Sequence, residues 1–86
     1  MNLIWAPTAW NDYLYWQKQD KKTLKRINEL IKDIQRNGLL EGIGKPEALK
    51  GNFAGEYSRR IDKYNRLIYH MEGEYLFITN CRTHYE

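Results

Sequence analysis

The sequence predicts an α+β fold in which two N-terminal helices pack on one face of a small, largely antiparallel sheet, in the order β-α-α-β-β-β. Three observations predict this class. Apolar residues recur at helical spacing up to residue 37, they alternate with a period of two from residue 56 onwards, and a glycine-rich stretch separates the two patterns. The length of 86 residues predicts one domain, spanning residues 1–86.

The first predicted elements are a strand and a helix. Residues Asn2–Trp5 predict a short opening strand that is closed by Pro7, and Thr8 is the expected N-cap of a helix that runs to about Gln19. The large apolar side chains of this helix fall on neighbouring stripes and are expected to face the core. These residues are Ala9, Trp10, Tyr13, Leu14 and Trp16.

A second helix is predicted between Asp20, its expected N-cap, and Asn37, with Gly38 suited to the left-handed position that follows a helix. The apolar residues of this segment recur at helical spacing. They are Leu24, Ile27, Leu30, Ile31 and Ile34. Residues 38–55 then predict a loop, with one turn of helix near Glu47–Lys50.

Three strands are expected in the second half of the chain. The period of two places them over residues 57–61, 66–71 and 75–81. Asp62–Asn65 is expected to form the first turn and Glu72-Gly73 a tight hairpin. Alternate side chains of the middle strand are expected to lie on opposite faces of the sheet, and His70 is expected to be a hydrogen-bonded strand residue.

The composition excludes several classes of site. Cys81 is the single cysteine, which excludes an internal disulfide framework and a cysteine-based zinc site; no metal and no cofactor are expected. Cys81 itself is expected to be a small core residue. No apolar stretch is long enough to span a membrane, and the first residues lack the basic and apolar segments of a signal peptide. We therefore expect a cytoplasmic protein.

Positive charge is concentrated in the predicted second helix. The formal net charge is +3, but residues 18–36 hold seven basic and three acidic side chains, a local charge of +4. Such a patch favours a polyanion such as RNA, or an acidic protein segment, as a partner. A solvated helix face without a partner explains the same residues equally well.

Three stretches contain reactive side chains where the core needs none. They hold Glu47 in the loop, Arg59, Arg60 and Arg66 on the strands, and His84 near the tail. RNA cleavage without a metal needs a base for the 2′-hydroxyl, cations for the phosphorane and an acid for the departing 5′ oxygen, and these residue types fit those roles. A surface carboxylate, cross-strand ion pairs and a frayed end explain them as well. Alone, they predict a small basic α+β domain, with RNA binding as one interpretation.

A series of short motifs runs along essentially the whole chain. The motifs are Leu3-Ile4-Trp5, Trp10, Asp12–Gln17, Ile27–Asp33, Gly44–Glu47 with Leu49-Lys50, Ser58–Ile61, Arg66-Leu67 with Tyr69, and Cys81–Tyr85. In this order and at these intervals, they closely resemble the YoeB (Txe) toxins of the RelE-like superfamily of bacterial toxin–antitoxin systems. The resemblance implies the RelE-like microbial RNase fold, and Glu86 extends beyond the tyrosine at which the family pattern commonly ends.

The resemblance implies an endoribonuclease that cuts mRNA in the ribosomal A site and so inhibits translation. At the matching positions, Glu47 is the implied general base and His84 the implied general acid. Arg60 and Arg66 are implied to stabilise the scissile phosphate.

Further residues are predicted to bind the substrate. The resemblance implies that Lys50 and Tyr85 support the site and hold the RNA. Lys45 flanks Glu47 on the side opposite Lys50, and Arg59 lies on the strand pair that bears Arg60 and Arg66; both are predicted to bind the substrate.

The implied partners are the ribosome with its mRNA, a YefM-like antitoxin and a second copy of the chain in a homodimer. Lys22, Lys25 and Arg26, on the basic helix, are predicted to contact rRNA. Two alternative functions remain: a non-catalytic RNA- or ribosome-binding module, and an antitoxin corepressor.

Overall fold

The computed structural model describes residues 1–83, which form one five-stranded sheet and two helices. The sheet order is β1-β5-β4-β3-β2, with β1 parallel to β5 and the other pairs antiparallel. The predicted class, two helices packed on one face of a largely antiparallel sheet, is confirmed. The elements are β1 Asn2–Trp5, α1 Pro7–Gln19, α2 Lys21–Asn37, β2 Glu47–Ala48, a 3-10 turn Gly51–Phe53, β3 Tyr57–Arg60, β4 Arg66–Glu72 and β5 Tyr75–Thr83.

Strand β1 and helix α1 meet at Pro7. Proline suits the first helical position, because its missing N–H leaves no helix bond unmade and its fixed φ matches the helix. The prediction that Thr8 caps α1 is wrong: the N-cap is Ala6, whose methyl group cannot accept a hydrogen bond. The Ala6 N–H donates to the Ile78 carbonyl at 2.9 Å, which ties the start of the helix to β5.

Helix α1 presents only part of its apolar stripe to the core. Ala9 is fully buried, and Tyr13 and Trp16 pack against the core. The prediction that Trp10 and Leu14 also face the core is wrong, since they are 45% and 41% exposed. Each lies one residue, about 100° around the helix, beyond a core-facing residue. Trp10 stacks instead on Tyr13, with 5.8 Å between ring centroids.

Helix α2 follows the predicted pattern, and its N-cap is confirmed. The Asp20 carboxylate accepts hydrogen bonds from the N–H groups of Lys22 at 3.1 Å and Thr23 at 3.3 Å. The hydroxyl and N–H of Thr23 are the main reason that the pKa of Asp20 lies below its usual value. Gly38 ends the helix with a φ of +95°, which glycine adopts without strain. The buried residues of α2 are Ile27, Leu30, Ile31 and Ile34.

Strand β2 replaces the helical turn predicted near Glu47–Lys50, and that prediction is wrong. Its two residues are extended and pair with Tyr57 and Ser58 of β3. The Leu49 N–H continues this pairing by donating to the Glu56 carbonyl at 2.9 Å. The backbone donors of this segment therefore reach across to β3 rather than along a helix.

The turns between the last strands follow local turn chemistry. The predicted turn after β3 is confirmed, because the Asp62 carboxylate accepts hydrogen bonds from the N–H groups of Tyr64 and Asn65, each at 2.7 Å. The hairpin lies one residue later than predicted, at Gly73-Glu74, where Gly73 has a φ of +59°. Strands β4 and β5 both run further than predicted.

The alternation of β4 divides the sheet into two faces, as predicted. Leu67 and Tyr69 are fully buried in the core that the helices cover, and Met71 packs against that core. Ile68 and His70 lie on the opposite face, which we call the outer face.

The pairing of β4 with β5 contains two register shifts, one between Ile68 and Tyr69 and one between Arg66 and Ile68. The first of them is a bulge. Ile68 pairs with Asn80, whereas the next residue, Tyr69, pairs with Ile78. Thr79 is therefore an extra residue of β5. A one-residue shift of this kind changes which face the residues after the bulge occupy.

A buried arginine links β3 to the long loop that follows α2. The Arg59 side chain is fully buried, and its Nη1 forms an ion pair with Asp33. Its Nε donates to the Tyr69 hydroxyl at 3.0 Å, and that hydroxyl donates to the Leu39 carbonyl at 2.7 Å. The other three N–H groups of the guanidinium donate to the carbonyl groups of Gly38 at 2.8 Å, Glu41 at 2.6 Å and Ile43 at 3.0 Å. All five N–H donors of Arg59 are thus used.

Asp33 completes this cluster from the helix side. Its carboxylate accepts hydrogen bonds from the Ile43 N–H at 3.0 Å and the Asn37 amide at 2.8 Å. Burial acts to raise the pKa of Asp33, but the hydrogen bonds and the charge of Arg59 outweigh it, so that this pKa lies below its usual value. The stability that this carboxylate contributes is therefore present above an unfolded-state pKa of about 3.9 and is lost as the pH falls through the folded-state pKa.

We predict that Arg59→Met lowers the free energy of unfolding by about 3–5 kcal/mol, because it leaves the Asp33 carboxylate without its ion-pair partner. Urea unfolding followed by circular dichroism measures the loss. Arg60→Met is the matched control, since Arg60 is the exposed neighbour, and we expect a change within about 0.5 kcal/mol. Similar losses in the two variants would contradict the structural role of Arg59.

Candidate active site

The predicted base and cations lie in two neighbouring rows on the outer face of the sheet. Residues that pair directly across neighbouring strands share a face. The first row contains Glu47, and the second contains Arg60 and Arg66. In register, the first row is Glu47, Ser58, Ile68 and Asn80, and the second is Arg60 and Arg66, after which Arg66 pairs with Thr83.

The charged groups of the two rows can reach a common point above β3. Ser58 precedes Arg60 by two residues, so the rows are separated by about 6.7 Å along the strand. Glu47 is a diagonal neighbour of Arg60, at about 7–8 Å between Cα atoms. It lies roughly 12 Å from Arg66, which is two strands away. A phosphate above β3 can therefore contact both guanidinium groups while the carboxylate faces the adjoining sugar.

The loop before Glu47 is held closely against β3 and α2. The Arg60 N–H donates to the Gly44 carbonyl at 2.7 Å. Gly44 has a φ of +81°, and a Cβ at this position would lie 2.8 Å from the Leu30 Cδ2. Lys45 follows with a φ of +50°, which costs a non-glycine residue about 1–2 kcal/mol. Strained backbone of this kind clusters at functional sites.

The predicted substrate-binding lysines flank Glu47. Lys45 and Lys50 are both exposed. Glu47 and Lys50 line one shallow depression of about 390 Å³. An anionic substrate at Glu47 would therefore meet two cations close to the carboxylate.

The two arginines of the second row have different surroundings. Arg60 is exposed, whereas Arg66 is half-buried. The Nη1 of Arg66 donates to the carbonyl groups of Asp62 at 3.1 Å and Asn65 at 3.3 Å. A guanidinium has five N–H donors, so the turn can orient Arg66 and still leave donors for a phosphate.

The structure contradicts the prediction that Arg59 binds the substrate. Arg59 pairs with Leu67, on the helix-covered face, and all five of its N–H donors bind groups of the protein. The reason is strand alternation, which directs adjacent residues to opposite faces of a sheet. Arg59 and Arg60 therefore cannot both reach the outer face.

The predicted acid lies outside the described residues. His84 follows Thr83, the last residue that the structure describes, and so do Tyr85 and Glu86. Their roles stay predictions. The strand that leads to them, β5, ends where Thr83 pairs with Arg66 of the second row.

A basic groove of about 510 Å³ lies between α2 and the turn after β3. Its three cations outnumber its two carboxylates, those of Glu29 and Asp62. The groove borders the second row, because the Arg26 Nη2 donates to the Arg60 carbonyl at 3.3 Å. The structure thus brings together the three residues predicted to contact rRNA, which are Lys22, Lys25 and Arg26.

The first row contains two polar residues for which the sequence predicted no role, Ser58 and Asn80. A step of two residues back from Arg60 leads to Ser58, so the period of two contains the signal for this residue. Asn80 is hidden by the bulge at Thr79, which changes the register of β5 without changing the local sequence pattern.

His70 and Cys81 are confirmed as structural residues. The Nε2 of His70 lies 2.8 Å from the Glu72 carboxylate, and its ring stacks on Phe77 at 5.0 Å between centroids. Cys81 is fully buried. Burial, together with the negative charge of Asp12, raises the pKa of the Cys81 thiol to about 12. The thiol is therefore protonated at neutral pH and is a poor nucleophile.

The reactive groups that the fold assembles are one carboxylate and several cations. Within residues 1–83, no three side chains of His, Cys, Asp or Glu lie together in a way that could hold a metal ion. Neither helix in the same range has the length and apolarity needed to cross a membrane.

Comparison with known proteins identifies the class to which this fold and site belong. A family model for the YoeB-like toxins of bacterial type II toxin–antitoxin systems matches residues 5–85. Toxin YoeB of Escherichia coli (strain K12) is 53% identical over 85 residues, which cover 99% of this chain and 100% of that protein. These matches define a toxin of a type II toxin–antitoxin system. Within that class, the chain belongs to the YoeB family.

Solved structures of relatives share the whole fold. The YoeB/ParE toxin from Agrobacterium tumefaciens has a TM-score of 0.94 and is 41% identical, covering 99% of this chain and 100% of that chain. Staphylococcus aureus YoeB is 52% identical and covers 99% of this chain and 98% of its own, both in a heterotetrameric complex with YefM (TM-score 0.91) and as a dimer (TM-score 0.92). The resemblance stated from the motifs is thereby confirmed.

We predict that Gly44→Ala lowers the free energy of unfolding by about 1–3 kcal/mol, because its Cβ would crowd Leu30 at a strained φ. Gly51→Ala is the matched control. Gly51 has a φ of +64°, but a Cβ there would meet no heavy atom of the described residues within 4 Å, so only strain of about 1 kcal/mol is expected. Urea midpoints compare the two variants, and equal losses would show that close approach at Gly44 does not fix the loop.

Proposed function

We propose that this chain is a ribosome-dependent endoribonuclease that cleaves mRNA in the ribosomal A site and so inhibits translation. The observation that carries the proposal is the pair of neighbouring rows on the outer face, with Glu47 in one and Arg60 and Arg66 in the other. Cleavage of RNA by its own 2′-hydroxyl needs a base beside the sugar and positive charge beside the phosphate. Membership of the YoeB toxin family supports the same activity.

In the proposed reaction, Glu47 is the general base and His84 is the general acid. The Glu47 carboxylate takes the proton of a ribose 2′-hydroxyl, and the 2′ oxygen attacks the adjacent phosphorus. The bond between phosphorus and the 5′ oxygen breaks, and His84 donates a proton to that oxygen. The products are a 2′,3′-cyclic phosphate, which can open to a 3′-phosphate, and a 5′-hydroxyl.

Arg60 and Arg66 stabilise the charge that develops on the phosphorane. The planar fork of arginine can donate two parallel hydrogen bonds to phosphate oxygens. The carbonyl groups of Asp62 and Asn65 orient Arg66 before the substrate binds, which is the preorganisation that electrostatic catalysis requires. Three further side chains are proposed to hold the RNA: Lys45, Lys50 and Tyr85.

The ribosome supplies the substrate positioning that a chain of 86 residues has little surface to provide. The basic groove with Lys22, Lys25 and Arg26 borders Arg60 of the second row. We therefore assign rRNA to the groove and mRNA to the outer face of the sheet. On this proposal the protein acts in the cytoplasm, where the ribosomes are.

The proposed protein partners are an antitoxin and a second copy of this chain. The relative from Staphylococcus aureus has been solved with YefM and as a dimer, which supports a YefM-like antitoxin and a homodimer here. The non-catalytic module and the antitoxin corepressor are alternatives that the experiments below separate from the enzyme.

We predict that Glu47→Gln lowers the kcat for cleavage of mRNA on programmed ribosomes by about 10²–10⁴-fold, because the amide keeps the shape of the side chain but cannot accept the proton. His84→Ala is expected to cause a similar loss. Mapping the 5′ ends of the mRNA measures both. Glu74→Gln is the matched control, since Glu74 is an exposed carboxylate in the β4–β5 hairpin, at the opposite end of these strands from the second row.

Each alternative has its own outcome in this experiment. Cleavage by Glu47→Gln at the parental rate would contradict its role as the base. Stalled ribosomes with intact mRNA would favour the non-catalytic module. Operator binding by the antitoxin that requires this chain, without any effect on mRNA, would favour the corepressor.

We predict that replacing Lys22, Lys25 and Arg26 together by Glu weakens ribosome binding and flattens its dependence on salt, because each lost phosphate contact reduces the salt slope by about one. Binding measured over a series of salt concentrations tests this. The single variant Lys25→Glu is compared with Lys18→Glu, at the end of α1, as its matched control, because both lysines are exposed. Ribosome binding that the triple variant leaves unchanged would rule out the groove as an rRNA contact.

A further inference from the structure

The second half of β5 lacks a strand neighbour on one side. The ladder between β1 and β5 ends where Trp5 pairs with Ile78, and the Ala6 N–H then donates to the Ile78 carbonyl at 2.9 Å. Beyond this point, β4 is the only described strand beside β5. The backbone groups of β5 that face away from β4 therefore need other partners, since unpaired backbone groups in a buried strand are costly.

Helix α1 supplies these partners at Cys81. The Asp12 carboxylate accepts a hydrogen bond from the Cys81 N–H at 3.0 Å. The Trp16 indole N–H donates to the Cys81 carbonyl at 2.8 Å. Asp12 and Trp16 are four residues apart, so they lie on one face of the helix. Two side chains thus bind the donor and the acceptor of one residue, as a neighbouring strand would.

Two further contacts strengthen the same attachment. The buried Cys81 thiol, protonated at neutral pH, donates to the Ala9 carbonyl at 3.6 Å. The Arg82 guanidinium lies 3.4 Å from the centroid of the Tyr15 ring, a close cation–π contact. Helix α1 therefore contacts both residues that precede Thr83.

The attachment of Cys81 to α1 lies where the hydrogen bonds between β4 and β5 do not by themselves fix the register of β5. The bulge at Thr79 interrupts the pairing between β4 and β5 just before Asn80, which belongs to the first row. A slip of one residue after the bulge would exchange the faces of every residue that follows. A second register shift follows between Asn80 and Thr83, and Cys81 lies within it. Fixing both backbone groups of Cys81 to α1 restricts such slips before Thr83 pairs with Arg66.

We infer that Asp12 and Trp16 are positioning residues for the catalytic end of the chain. They fix Cys81, and with it the last described residues of β5, to helix α1. His84 follows these residues directly in the sequence. The inference rests on the proposed function, because that function assigns the role of general acid to His84. Both side chains belong to helix α1, which packs on the face of the sheet opposite the outer face, so neither is expected to touch the RNA.

The test uses variants of the full-length chain that remove one hydrogen bond each. Trp16→Phe keeps an aromatic ring but loses the N–H donor, and Asp12→Ala loses the acceptor. We expect each to lower kcat on programmed ribosomes by about 10–100-fold, the scale of a misplaced catalytic group, while KM for the ribosome changes less than about twofold. Asp12→Asn retains an acceptor oxygen and should restore most of the kcat.

The matched control is Tyr13→Phe. It also removes one hydrogen bond from α1, the one that the Tyr13 hydroxyl donates to Asn28 at 2.8 Å, but this bond does not involve β5. We expect its kcat to equal that of the parent. Thermal unfolding of all variants shows whether a loss of kcat merely follows a loss of folded protein.

A double-mutant cycle with His84→Ala identifies the group through which Trp16 acts. If Trp16 positions His84, Trp16→Phe should cause little further loss once His84 is gone. Parental kcat in Trp16→Phe and Asp12→Ala, or losses that add fully to that of His84→Ala, would overturn the inference while leaving the enzyme intact. Absence of cleavage by the parent chain would instead overturn the proposed function, and this inference with it.

Discussion

The guanidinium group of Arg59 is the point on which the rest of the structure depends. A buried charge is tolerated here because Asp33 pairs with it and loop carbonyl groups accept its other N–H donors. Residues 38–44 form neither helix nor strand, so the cluster replaces the regular hydrogen bonds that they lack. The ordered loop therefore places Glu47 beside β3, where it pairs with Ser58. The placement of the candidate base thus depends on a side chain that cannot touch the substrate.

The sheet separates stability from chemistry. Its helix-covered face holds the core residues of β3, β4 and β5, while its outer face holds the Glu47 carboxylate and the guanidinium groups of Arg60 and Arg66. Because successive side chains of a strand point to opposite faces, β3 serves both purposes: Arg59 stabilises the fold and Arg60 is exposed on the outer face. A chain with a small core can in this way carry a site without a separate domain to bind the substrate.

Local patterns predicted much of the fold and of the candidate site. Helix α2 was predictable because its cap at Asp20 and its apolar stripe act within a few residues. Strand β2 was not, because its conformation is decided by pairing with Tyr57 and Ser58, about ten residues further on. Glu47 and the arginines could be named from motifs, but only the register shows which arginine is buried.

Tertiary packing accounts for the other differences from the sequence. The exposure of Trp10 and Leu14 depends on the angle at which α1 lies on the sheet, which helical spacing alone does not contain. The attachment of Asp12 and Trp16 to Cys81 joins residues more than sixty positions apart. The sequence does not indicate this attachment, because Asp12 and Trp16 there belong to the pattern of an amphipathic helix.

The position of β5 in the sheet has a consequence for synthesis. β5 is the last of the five strands to be translated, yet it lies between β1 and β4. Asn2 pairs with Tyr75, so β1 waits for a partner more than seventy residues away, and contacts of such long range form late in folding. Strand β5 cannot enter the sheet while residues 75–83 are still inside the ribosomal exit tunnel. A nascent chain of this topology therefore completes the sheet that carries Glu47, Arg60 and Arg66 only after residues 75–83 have left the tunnel.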